Sequence, residues 1–209
     1  QFLFSGITVG AIYALVGLGF AIIYNASNVI NFAQGEFVML GGMGTVFFIG
    51  LGLPMPIAVL LAIALTVVVG FGLEKLAVEP ARDAPIVTLI IITIGASIFL
   101  RGAAQLVWDR NFHSVDSFSG SDPIMVAGAS ILPQSLWILC STVVIVIALH
   151  MFFTRSMTGK AIIATSHNPL AAKLMGIDTS MVLLMSFGLS ALLGASAGIL
   201  IAPISLTYT

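Results

Sequence analysis

Long apolar runs separated by short polar breaks set the rhythm of this chain. Six of the runs, 2–24, 32–49, 57–73, 85–108, 132–153 and 181–201, approach the roughly 20 residues that carry an α-helix across a bilayer. They predict an all-α fold, a polytopic membrane helical bundle forming a single transmembrane domain over 1–209. The breaks carry signals of their own. Gly52, Pro54 and Pro56 mark a tight turn, and Gly120, Asp122 and Pro123 mark turns in a polar, acidic connection. After the interruption at 25–30, Asn31 followed by Gln34 reads as a capping box that opens the second run. Glu36 then falls in the first helical turn, where the helix dipole favours a carboxylate.

The longest polar stretch set between two strongly apolar ones is Thr154–Ser180. Asn168 is a strong N-cap residue, Pro169 suits the first helical position, and Gly176 suits the left-handed residue that ends a helix. These signals predict a helix over Pro169–Met175. Leu170, Leu174 and Met175 give it an apolar side, and Ala171 and Ala172 are small enough to let another surface approach. Two turns are marginal alone in water, so the helix is expected to dock on something.

Composition sharpens the class. Hydrophobic residues make up 59% of the chain and charged residues 7%, too few to supply the polar faces of a soluble bundle. The first run lacks a basic leader and reads as a permanent helix. The net charge of −1 gives no footprint for nucleic acid. The single cysteine, Cys140, excludes an intrachain disulfide and is expected to be a small buried hydrophobe. His150 and His167 are isolated, so no metal site is expected.

Lys and Arg set the orientation. Arg155, Lys160 and Lys173 lie in 154–180 and Lys75 and Arg82 in 74–83, whereas 109–130 holds only Arg110. Two crossings separate the first two loops, which places both in the cytoplasm, together with the break at 25–36. Trp108 and Trp137 flank the opposite loop. Gly6 with Gly10, and Gly194 with Gly198, have the small-xxx-small spacing that lets helices approach closely in lipid.

The run Asn31-Phe32-Ala33-Gln34-Gly35-Glu36-Phe37, then Met39-Leu40-Gly41, resembles the signature near the start of bacterial branched-chain amino acid ABC permeases. Gly159-Lys160-Ala161, Asn168, Ala171-Ala172 and Leu174-Met175-Gly176-Ile177-Asp178 resemble their cytoplasmic coupling segment. The likeness extends over nearly the whole chain. It departs at Glu79-Pro80, where the family usually has Arg-Pro, and at Ile163, usually basic. The family also continues for several more apolar segments, so Thr209 reads as a truncation point.

The resemblance implies an importer in the inner membrane of a bacterium. A periplasmic substrate-binding protein delivers, this chain and a second homologous permease subunit form the pathway, and two ATP-binding subunits bind ATP and Mg. It assigns ATPase coupling to Gly159, Asn168, Pro169, Ala171, Ala172, Leu174, Met175 and Gly176. No cofactor is expected in this chain, and no enzymatic role, since it has no G-x-x-x-x-G-K-[ST] loop.

Asn31, Gln34 and Glu36 are the candidate pathway residues, because broken helices line the pathway in many transporters and intramembrane carboxylates are costly to keep. Capping at an interface is the other reading of the same residues. Arg101, inside the fourth run, is expected to snorkel toward the outer surface, with a clamp on a substrate carboxylate as the alternative. Two further functions compete. A urea or short-amide importer shares both motifs. An intramembrane hydrolase built on Ser97, Ser186, Ser190 or Ser196 lacks a histidine at suitable depth.

Overall fold

The computed structural model describes residues 2–108, 124–126 and 129–204. The first run forms α1, Phe2–Ser27, three residues longer than expected, because the helix continues until Asn28 turns left-handed at φ 56°. Its buried positions Thr8, Ile12, Leu15, Gly19, Ile22 and Ile23 form one stripe at helical spacing. α2, Gln34–Gly50, follows the break and ends in a tight turn with Gly52 at φ 82°. α3, Met55–Leu73, starts from extended Pro54 with Pro56 in its first turn.

The charged segment after α3, expected as a loop, stays helical. A π-helical turn, Glu74–Val78, leads into a 3₁₀ turn, Glu79–Ala81. It persists because Glu74 and Val78 are buried on one side, while Lys75 pairs with Glu79 at 2.7 Å on the other. α4, Ile86–Trp108, comes next. A small antiparallel pair, β1 (Ile124–Val126) and β2 (Ala129–Ile131), precedes α5, Pro133–Arg155. The polar stretch then holds two helices where one was expected, α6 (Met157–His167) and α7 (Pro169–Leu174). α8, Thr179–Ile201, completes an all-α bundle in which the hairpin is the sole extended element among the described residues.

α8 is the axis of the bundle: 67% of its most apolar window is buried, against 11% for α4 and α5. It packs on α1, α2 and α3. Small residues permit this. A Cβ on Gly198 would fall on the Val38 carbonyl oxygen, and one on Gly41 would lie 2.5 Å from Ala195 Cα. The Gly194/Gly198 pair is therefore used against α2, whereas Gly6 and Gly10 have nothing within 4 Å. Cys140 corrects the expectation of burial, because it lies on the exposed face of α5.

Among the described residues, five helices are long and apolar enough to cross a membrane: α1, α3 with its extension to Ala81, α4, α5 and α8. α2 has 17 residues, about 25 Å. Its length follows from where the break sits. The backbone N–H of Phe32 donates to Thr93 Oγ1 (3.3 Å), and Thr93 is about 10 Å along α4 from Ile86. At the far end, the rings of Phe47 and Trp108 lie 6.2 Å apart, so α2 and α4 finish together. The far end of the break, with Asn31, Ala33 and Gln34 buried, thus lies inside the bundle, and α2 covers the remaining distance.

Candidate functional site: a broken helix and a docking segment

The break is held by its own polar groups. Ser27 Oγ donates to the Ile23 carbonyl (2.8 Å) and accepts from Val29 N–H (3.1 Å), turning the chain out of α1. Asn31 Oδ1 accepts from Ala33 N–H at 3.1 Å, and Thr93 Oγ1 lies 2.9 Å from the Ile90 carbonyl and 3.3 Å from that of Ile30. The expected capping box is absent. Ala33 occupies the N-cap position, and Asn31 closes a local turn two residues earlier. Its Nδ2 is buried without a partner.

Gln34 is free for another task. Its Oε1 accepts from Ser190 Oγ of α8, and its Nε2 donates to the Ser190 carbonyl at 3.5 Å. The amide passes over Gly19 of α1, where a Cβ would approach Nε2 to 2.6 Å. Gln34 therefore joins the start of α2 to both α1 and α8.

Glu36 is buried, and its Oε1 accepts from Ser97 Oγ and from Arg101 Nη2, each at 2.8 Å. Ser97 and Arg101 are one turn apart on α4, at about 16 and 22 Å along its roughly 34 Å length. The Arg101 side chain keeps 60% of its surface exposed. The structure thus brings together Glu36 and Arg101, which the sequence placed in separate runs, and adds Ser97 as a second donor. A signal for the pair was present, because these are the two charged residues within the predicted runs. A charge in lipid costs little only when its partner is close.

The segment 154–180 is built by caps. Ser156 Oγ accepts from Gly159 N–H (2.9 Å) and starts α6. A Cβ on Gly159 would fall on the Phe152 carbonyl oxygen, so glycine lets α6 fold back on the end of α5. Asn168 Oδ1 accepts from Ala171 N–H (3.0 Å), with Pro169 in the first turn of α7. At the other end, Ile177 N–H donates to the Ala172 carbonyl (3.0 Å), Gly176 N–H donates to that of Lys173 (3.1 Å), and Gly176 has φ 83°. These bonds make a Schellman motif. Asp178 Oδ1 then accepts from Ser180 and Met181 N–H and starts α8, while Arg82 donates to Ser180 Oγ.

The faces of α7 differ from the expected arrangement. Ala172 is buried against the chain itself, so it supplies no surface for a partner, whereas Ala171 is exposed. Leu170, Leu174 and Met175 stand out from the bundle, the last two 81% and 84% exposed. A short, rigidly capped helix therefore presents a projecting apolar edge.

The serines weighed for hydrolysis are engaged elsewhere. Ser97 bonds Glu36, Ser190 bonds Gln34, and Ser186 and Ser196 bond carbonyls one turn back. His167 Nδ1 lies 2.9 Å from the Ile163 carbonyl.

The family model described as branched-chain amino acid transport system / permease component matches residues 2–208. The high-affinity branched-chain amino acid transport system permease protein LivH of Salmonella typhimurium is 29% identical over 216 residues, covering 96% of this chain and 70% of the relative. BraD of Pseudomonas aeruginosa, described in the same terms, matches with the same identity and coverage. The probable branched-chain amino acid transport permease protein LivH of Methanocaldococcus jannaschii is 28% identical over 89% of this chain and 61% of its own length. No solved structure matches. Its family match and its apolar helices together place the chain in the branched-chain amino acid transport permease family, as a multi-pass membrane protein and a permease component of a transporter.

Proposed function

We propose that this chain is a transmembrane permease subunit of an ATP-binding-cassette importer for branched-chain amino acids in the bacterial inner membrane. The observation that carries the reading is the family match over 2–208. The projecting edge of α7 supports the coupling half of it, since a capped helix with exposed Leu170, Leu174 and Met175 suits an apolar cleft on an ATPase subunit. ATP and Mg belong to two such subunits. Gly159-Lys160, the one Gly-Lys pair in the chain, is followed by Ala161 and lacks the upstream glycine of a phosphate-binding loop. A second permease subunit and a periplasmic binding protein complete the assembly.

In this reading the chain makes six crossings, with α2 as the short one, and 154–180 faces the cytoplasm. Asn31, Gln34 and Glu36 belong to the pathway because the far end of the break, which they stabilise, lies inside the bundle. Closure of the ATPases pushes α7, and the push reaches α8 directly and α5 through α6. α8 in turn holds Gln34, so the start of α2 follows.

The test is uptake by proteoliposomes holding the full-length permease with its partners. Leucine, isoleucine or valine uptake should require ATP and the binding protein, and the permease alone should neither hydrolyse ATP nor concentrate substrate. Uptake inhibited by urea or acetamide but not by leucine would move the assignment to short amides.

A further inference from the structure

Where the broken helix meets the docking segment, a cavity of about 210 Å³ opens between Ser27, Asn28 and Val29 at the end of α1, Glu74 of the π-turn, Thr165 of α6 and Ser180 of α8. Uncommon features converge on it. Asn28 is the one described non-glycine residue with positive φ, and the π-turn is the one such turn among the described residues. π-turns gather at functional positions, and a left-handed non-glycine residue is a strain the fold must hold in place.

Two residues of the lining, Glu74 and Thr165, 1% and 2% exposed, each carry a buried oxygen without a hydrogen-bond partner, Oε1 and Oγ1. Leaving such atoms unsatisfied is costly, and natural proteins do it rarely. The end of α1 adds to the same field. Asn28 N–H donates to the Tyr24 carbonyl (2.7 Å), and the carbonyls that follow in this last turn form the negative end of the helix dipole.

A carboxylate, a hydroxyl and the C-terminal end of a broken helix are the oxygen donors that hold small monovalent cations in membrane proteins. The other charges at the cavity are already directed. Glu79 is held by Lys75, and Arg82 at the exposed rim points its Nη1 to Ser180 Oγ. Among the described residues Glu74 is left as the one buried carboxylate without a counter-charge bonded to it, which suits a single positive charge better than a divalent ion with its demand for several carboxylates.

We propose that this cavity binds a partly dehydrated monovalent cation, sodium in the first place, between Glu74 and Thr165, and that the bound ion ties the docking segment to the broken helix. The experiment takes the full-length permease, purified with its partner subunits, and compares thermal melting in sodium chloride and choline chloride at equal ionic strength. Sodium should raise the midpoint by about 2–4 °C, Glu74→Gln should abolish the difference, and Thr165→Val should reduce it. Radiosodium should bind the wild type and not Glu74→Gln. If Glu74→Gln does not fold, radiosodium retention by wild type and its weakening in Thr165→Val decide the matter. Equal melting of the wild type in both salts overturns the proposal. So does sodium-independent melting combined with loss of the ATPase subunits from Glu74→Gln, which would assign the cavity to a basic side chain of the docked subunit.

Discussion

Glu36 and Arg101 show how a single ion pair can locate an element. Glu36 is buried while Arg101 keeps most of its side chain exposed, so removing the carboxylate leaves a guanidinium without its counter-charge on an apolar helix face. Glu36→Gln combined with Arg101→Gln should therefore lower stability by less than the two single losses added together. The double-mutant cycle, read by thermal melting in detergent, should return a coupling on the order of 1–2 kcal/mol, kept modest by the exposure of Arg101. Additive losses would mean that the pair is incidental. That two charges lie stranded in apolar runs was legible in the sequence, but Arg101 was expected to snorkel toward the outer surface, and the structure turns it to Glu36 instead. The depth at which they meet was not legible, because it depends on Asn28 taking a left-handed conformation and on Thr93 receiving the turned backbone. Sequence spacing encodes neither.

At the scale of elements, helix identity was legible wherever caps or apolar length decided it. α7 was found from Asn168, Pro169 and Gly176, and its Schellman end matches that expectation. α6 was missed because its apolar residues, Met157, Ile162 and Ile163 among them, are too few and too interrupted to make a clear run, and its start depends on one serine, Ser156, together with a glycine that fits only against the end of α5. Which side of α7 faces outward was also hidden, since six residues hold too little pattern to orient them. Two substitutions separate the faces. Ala172→Arg places a charge inside the permease and should destabilise the segment itself, by roughly 2 kcal/mol or more. Leu174→Arg should leave melting of the isolated permease within about 0.5 kcal/mol of wild type and weaken capture of the ATPase subunits. If Leu174→Arg copurifies with ATPases normally and supports full uptake, the projecting edge is not the docking surface. Glycine positions allow a similar comparison. Gly198→Ala should cost roughly 1–3 kcal/mol through contact with Val38, whereas Gly10→Ala should be neutral or slightly stabilising. Thermal melts of both variants check this, and the sequence alone gave the two glycines the same standing.

For the whole molecule, the consequence of a short α2 reaches back to synthesis. This helix begins inside the bundle, carries Glu36 near its start and relies on Arg101, which lies 65 positions later in the chain. A helix of 17 residues led by an uncompensated carboxylate is a poor candidate to settle in lipid by itself. α2 should therefore leave the translocon reluctantly and become committed to the bilayer only after α4 has emerged. Glycosylation reporters fused after Gly50 should show incomplete insertion, and reporters fused beyond Trp108 should show it complete. Arg101→Gln should delay that completion, whereas Gln34→Leu, which removes a polar side chain from the same helix start, should advance it. The order in which this permease is built would then be written into the same ion pair that holds its finished form.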